Sequence, residues 1–262
     1  MIAQNIESIL EELPQGVKLV AVSKFQPLEA LLEAYAMGQR CFGENRPQEF
    51  AAKAVQMPQD VEWHFIGHLQ TNKLKLVLPY AHIVESIDTV HLLEAVDNWG
   101  AQHDKVINVL LEVHIGAEET KQGFTPAEVI DLLDSVTSDG SSGQLPPSEA
   151  IAAQSSLPNQ GFGPLPLSRR GWQPSEGGHA RCCQYINFCG LMGMASHVDD
   201  EEAIAADFER IKRLFDECRT RFPQLKDFTQ LSIGMSGDWR IAVRHGSTEV
   251  RIGTAIFGPR KY

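Results

Sequence analysis

The 262-residue sequence predicts an α/β fold, a single (β/α)8 TIM barrel. Three observations predict it. Short β-rich runs alternate with amphipathic helical stretches, the runs number eight, and the length suits one barrel of roughly 200 to 250 residues. Alternation alone also allows an open doubly wound sheet, but no Gly-x-Gly-x-x-Gly follows the first run.

The elements follow in order. The acidic amphipathic stretch IESILEEL precedes the first run and predicts an extra N-terminal helix on the outside or bottom of the barrel. Candidate strands are Lys18 to Lys24, Cys41 to Asn45, Glu62 to Gly67, Ile83 to Ile87, Ile107 to Ile115, Ile186 to Met194, Phe228 to Ile233 and Glu249 to Phe257. Helical patterns fill the intervals. PLEALLEAYAMG follows the first strand, and DEEAIAADFERIKRLFDECRTRF follows the sixth, with apolar residues returning every 3.6 positions.

One stretch breaks the alternation. From Thr137 to Tyr185 there is no sustained period, and six of the fourteen prolines fall there. Structureless loops beyond about 15 residues are uncommon in compact domains. A long disordered insertion before strand 6 is therefore expected, with a folded lid or partner-binding arm as the alternative. Because it joins a helix to the next strand, it should leave at the bottom of the barrel and spare the face where barrel sites lie. The whole chain, residues 1–262, is expected to be one cofactor-binding domain with this insertion at about 137–185.

Composition narrows the partners. With 43% hydrophobic and 22% charged residues the chain is an ordinary globular one. A net charge of -11 argues against a nucleic-acid surface, which needs clustered Lys and Arg. No apolar run approaches the roughly 20 residues of a spanning helix, and no signal-peptide pattern opens the chain, so the expected place is cytoplasmic and away from membranes. The five cysteines, Cys41, Cys182, Cys183, Cys189 and Cys218, lack CxxC spacing and read as reduced thiols.

Chemistry in a barrel gathers where strands end. The first strand delivers Ser23 and Lys24; a lysine there is a solvated strand end or, partly desolvated, an amine ready to form an imine with a carbonyl. The second brings Gly43, Glu44, Asn45 and Arg46, and the third His64, Gly67, His68, Gln70, Asn72 and Lys73. Asn45 can be a turn residue and His64 an inward core residue. Paired histidines with a nearby carboxylate do not recur at metal-ligand spacing, so no metal is expected. The last two units carry LSIGMSGDW and EVRIGTAIFG. Ser232, Gly234, Ser236, Gly237, Gly253 and Thr254 let backbone N–H groups approach an anion, where barrels often hold phosphate. Arg251 lies on the same side of its strand as Gly253 and can reach a cofactor ring or a carboxylate.

The stretches LVAVSKFQP, FGENRPQEF, WHFIGHLQTNK, VESID, GLMGM, LSIGMSGD and STEVRIGTAIFG together resemble the pyridoxal phosphate homeostasis proteins, the YggS or PROSC type, which look like the barrel domain of alanine racemase standing alone. They run in order from Lys18 to Pro259 and omit only the insertion. The resemblance implies pyridoxal 5'-phosphate held as a Schiff base on Lys24. It further implies that Ser236, Gly253 and Thr254 bind the phosphate, that Arg251 lies near the pyridine, and that Asn45, His64 and Met194 line the pocket. It departs at Phe25, where the family commonly has Thr, and at the insertion. It implies a monomeric carrier serving vitamin B6 homeostasis, with PLP-dependent apo-enzymes as partners and no catalytic residues. The alternative is a PLP-dependent racemase or decarboxylase-like enzyme, since an imine-linked pyridine is an electron sink in either case. A racemase of this type takes a second acid/base, commonly a tyrosine of an added β domain. Neither that domain nor a tyrosine motif at the strand ends is expected among Tyr35, Tyr80, Tyr185 and Tyr262. A third reading has Lys24 as a plain counter-charge to another phosphorylated metabolite.

Overall fold

The computed structural model describes residues 1–116, 122–138 and 183–259. Eight parallel strands close into a barrel in chain order: β1 (Lys18–Val22), β2 (Cys41–Glu44), β3 (Glu62–Phe65), β4 (Ile83–Ile87), β5 (Ile107–Val113), β6 (Ile186–Gly193), β7 (Gln230–Met235) and β8 (Glu249–Ile252). β8 returns to β1 in register from Lys18↔Glu249 to Ala21↔Ile252, which leaves no open sheet edge.

The outer layer is helical because the intervals carry one apolar stripe each. It comprises α1 (Ile2–Glu12), α2 (Leu28–Ala36), α3 (Pro47–Ala54), α4 (Leu74–Val77), α5 (Val90–His103), α6 (Pro126–Ser138), α7 (Glu201–Arg221), α8 (Trp239–Arg244) and α9 (Thr254–Phe257). In α7 the buried residues Ile204, Phe208, Ile211, Leu214, Phe215 and Cys218 repeat at three and four positions, and Asp200 caps its first turn by accepting from the Glu202 and Ala203 N–H groups. The predicted N-terminal helix is α1, seated on the outside of the barrel by buried Ile6 and Ile9, with Asn5 Nδ2 donating to the Ile256 carbonyl at 2.8 Å.

Two layers of core result. The larger lies between sheet and helices; a smaller one inside the barrel joins Ile83, Leu110, Cys189 and Met192. Polar side chains also enter the barrel interior. His64, Glu85, Glu112, Ser232, Glu249 and Arg251 are all buried, one or two per strand, at inward positions.

Strand ends differ from expectation. β1 stops at Val22 and Lys24 begins a turn. The expected eighth strand stops at Ile252, and Thr254–Phe257 is the single turn α9. A four-residue apolar run carries no period that separates strand from helix. β7 begins at Gln230, two residues after Phe228. The expected insertion lies mostly outside the described residues; its first residues, Thr137 and Ser138, belong to α6. No described helix is long and apolar enough to cross a membrane.

Candidate functional site

Lys24 is half-buried, two residues beyond the end of β1. Ser23 is buried and donates through Oγ to Glu44 Oε1 at 2.8 Å, while Lys53 Nζ reaches the Ser23 carbonyl at 2.8 Å and Glu44 Oε1 at 2.5 Å. Burial pushes the Glu44 carboxyl up, and the Lys53 ammonium pulls against it. On the other side Phe25 sits at φ 63°, a left-handed conformation that is strained for an aromatic residue. Its N–H donates to Glu49 Oε2 at 3.0 Å and its ring lies 4.2 Å from the Arg46 guanidinium. The lysine is thus presented by a turn pinned at both ends.

Beside β1 stands the rim of β7 and β8. Ser236 Oγ accepts from the Gly253 N–H at 3.2 Å and lies 3.5 Å from the Ala255 nitrogen. A Cβ at Gly253 would lie 3.2 Å from the Val22 carbonyl, so the glycine lets the end of β8 close onto the end of β1. Nothing lies within 4 Å of a Cβ built at Gly237, and Thr254 is exposed. The Gly253 and Ala255 N–H groups and the Ser236 hydroxyl therefore gather beside Val22, the last residue of β1, in a donor-rich rim of the kind that suits an anion.

The other expected residues fall at different depths. Asn45 is at the rim, and its Oδ1 is buried without a hydrogen-bond partner. Gly67 packs so closely on it that a Cβ there would overlap the Asn45 carbonyl. Met194 follows β6 and is 46% exposed. His64 is deeper: its ring is inside the barrel, with Nδ1 donating to Glu85 Oε1 at 2.7 Å and lying 3.4 Å from Glu249 Oε1. Arg251 is also interior, donating from Nη1 to the Ser232 carbonyl at 2.7 Å and its Oγ at 2.5 Å, and from Nη2 to the Gly193 carbonyl at 3.0 Å.

These groups form one charged column. Ser232 Oγ donates to Glu85 Oε2 at 2.6 Å, and Arg251 Nη1 is 3.6 Å from the same oxygen. Burial alone would drive the His64 proton off, but the Glu249 charge and the bond to Glu85 hold its pKa well above the usual imidazole value. Burial and the neighbouring Glu249 push Glu85 up, whereas the imidazolium overcomes burial at Glu249 and holds it low. His64 has ligand atoms within 4.8 Å of those of Glu85 and Glu249, and likewise of Cys41 and Glu62. Strand spacing does not reveal such groupings; closure creates them. The carboxylates already face cations, with Lys18 Nζ 2.9 Å from Glu62 Oε2.

A second rim, over β3 to β5, was not anticipated. His68, Asp88, His114, Thr125, Glu128 and Asp131 line a cleft of about 820 Å³. His68 Nδ1 is 3.0 Å from Asp88 Oδ2. Beside it Glu112 is 4% exposed, and burial together with the Asp88 charge pushes its carboxyl up to about 7. A charged residue within the apolar run LLEV was the available signal, because in a strand with both faces covered such a residue must point into the barrel.

The alanine racemase N-terminal domain model matches residues 1–144. A pyridoxal phosphate homeostasis protein of Vibrio alginolyticus is 34% identical, over 100% of this chain and 98% of the relative. Among solved structures, PipY of Synechococcus elongatus without PLP is 30% identical with a TM-score of 0.76, covering 98% of this chain and 100% of that one. The same protein with PLP bound is 29% identical with a TM-score of 0.73 and the same coverage. The full-length identity and the family match show that the chain belongs to the pyridoxal phosphate homeostasis protein family, built on the alanine racemase N-terminal barrel.

Proposed function

We propose that the whole chain is one domain that holds pyridoxal 5'-phosphate through a Schiff base on Lys24 and serves vitamin B6 homeostasis without turning a substrate over. The observation that carries this reading is that the Ser236, Gly253 and Ala255 cluster sits where the end of β8 closes on Val22, two residues before Lys24. The chemistry of these residues suits PLP: an amine for its carbonyl, and backbone N–H groups and hydroxyls for its phosphate. Its phosphate would be held by N–H groups and the Ser236 and Thr254 hydroxyls, and the orphaned Asn45 Oδ1 awaits a donor. Bound there, the cofactor supplies an electrophilic carbonyl carbon and an electron sink. The chain's part is to hold the lysine in place, to orient the phosphate and to keep Arg251 neutralised by Glu85 below the pocket.

His64 acts in this reading through the column beneath the site, and Met194 as an exposed wall of it. We read the protein as a cytoplasmic monomer, with PLP-dependent apo-enzymes receiving the cofactor. Incubation with PLP is expected to give an absorbance band near about 420 nm that Lys24→Ala abolishes. A band that survives the substitution removes Lys24 from the role. Sustained racemisation of alanine above the free-cofactor background favours the enzyme reading instead.

A further inference from the structure

The N-terminal mouth of the barrel, the end opposite the lysine turn, gathers donor atoms from β2 and β3. Cys41 opens β2 and Glu62 opens β3, paired in register, and His64 lies two residues further in on the same face as Glu62. One donor atom from each of Cys41, Glu62 and His64 lies within 4.8 Å of the other two, and Cys41 Sγ is 3.1 Å from Glu62 Oε2. Ligand atoms around a tetrahedral zinc ion stand about 3.5 Å apart, so the group needs only a small contraction to close on one. His64 is already prepared for this. Its Nδ1 donates to Glu85 Oε1 at 2.7 Å, the carboxylate–histidine pairing that fixes the ring and leaves the second nitrogen to bind a metal. That second nitrogen, Nε2, is buried and has no hydrogen-bond partner among the described residues. Buried polar atoms almost always have one, and an orphan points to a group that completes it.

We propose that Cys41, Glu62 and His64 Nε2 form a binding site for a zinc ion at the N-terminal mouth of the barrel, with Glu85 orienting the histidine. A thiolate, an imidazole and a carboxylate make a borderline-soft donor set, which suits zinc better than magnesium or calcium. Three protein ligands leave the fourth tetrahedral position to water. The charges balance, because the thiol proton and the imidazolium proton pass to solvent as the divalent ion arrives. Lys18, which pairs with Glu62 Oε2 at 2.9 Å, has a side chain 38% exposed and turns into solvent as the ion enters past Glu62, itself 40% exposed. The inference stands or falls independently of the carrier reading, whose lysine lies at the other end of the barrel.

The test strips the full-length chain of metal with a chelator, keeps its thiols reduced and titrates it with Co2+, whose bond to a thiolate gives an ultraviolet charge-transfer band. A band that saturates at a single equivalent and is bleached by Zn2+ is expected. Cys41→Ser, nearly isosteric, should remove it. Cys182→Ser with Cys183→Ser should leave it, which separates the site from the adjacent thiol pair. Glu62→Gln, at the open mouth, should weaken Co2+ binding by at least about tenfold, and it keeps the test decisive should the Cys41 variant misfold. Absence of a thiolate band overturns the site. So does a band that survives Cys41→Ser, one that disappears with Cys182 and Cys183, or equal affinity in Glu62→Gln.

Discussion

Arg251 and Glu112 are both buried to 4% exposure inside one barrel, and they are treated in opposite ways. The arginine, on β8, has its guanidinium engaged by two carbonyls, a hydroxyl and a carboxylate. The glutamate, on β5, has a like charge, Asp88, as an electrostatic neighbour, and among the described residues its side chain makes no hydrogen bond. A satisfied buried charge is part of the frame. A buried carboxyl beside a like charge is instead driven toward its neutral form, because burial and repulsion both disfavour the anion.

The largest effect expected from this contrast is at Arg251. Arg251→Met leaves Glu85 and Glu249 with the His64 imidazolium as their remaining buried cation, and urea denaturation should show a loss of about 3–5 kcal/mol. A loss under about 1 kcal/mol would mean that the column is not a single charged unit.

Glu112 should behave in the reverse sense. Its folded-state pKa of about 7 lies above the ordinary 4.5, so the native state binds the extra proton and stability declines as pH rises from 4.5 through 7. Glu112→Gln should therefore stabilise the chain by up to about 3 kcal/mol at pH 8 and by little at pH 4.5. A gain of equal size at both pH values would separate the effect from titration.

The smallest expected effect concerns the frame around Lys24. Phe25→Asn, a residue more at home at positive φ, should stabilise by about 0.5–1 kcal/mol after loss of the stacking on Arg46. Thermal denaturation measures it, and a net loss would show that the ring contact outweighs the backbone strain.

The same contrast explains what could be read from the sequence. The fold was legible because each strand is a local apolar run; only the ends moved, at Lys24 and at Thr254, where a few residues carry no period. The β7–β8 rim was legible because glycines and hydroxyls crowd into two short stretches. The interior column was not. Glu85, Glu112 and Glu249 each stand alone in a different strand, and only closure of β8 on β1 places Glu249 beside His64. The expectation that no metal ligands cluster rested on spacing along the chain, which does not register groupings made by closure.

β5 and β6 pair over their full length, from Ile107↔Ile186 to Val113↔Gly193, and Asp97 Oδ1 accepts from the Tyr185 N–H at 2.8 Å to fix where β6 begins. These two strands flank the long interval between Ser138 and Cys183. Their alignment is therefore written in the staves themselves and owes little to the chain that joins them. Each doubling of a connection costs only about 0.6 kcal/mol of closure entropy. This junction is accordingly where a lineage can lengthen or rewrite the polypeptide freely, while the rim that holds Lys24 keeps its shape.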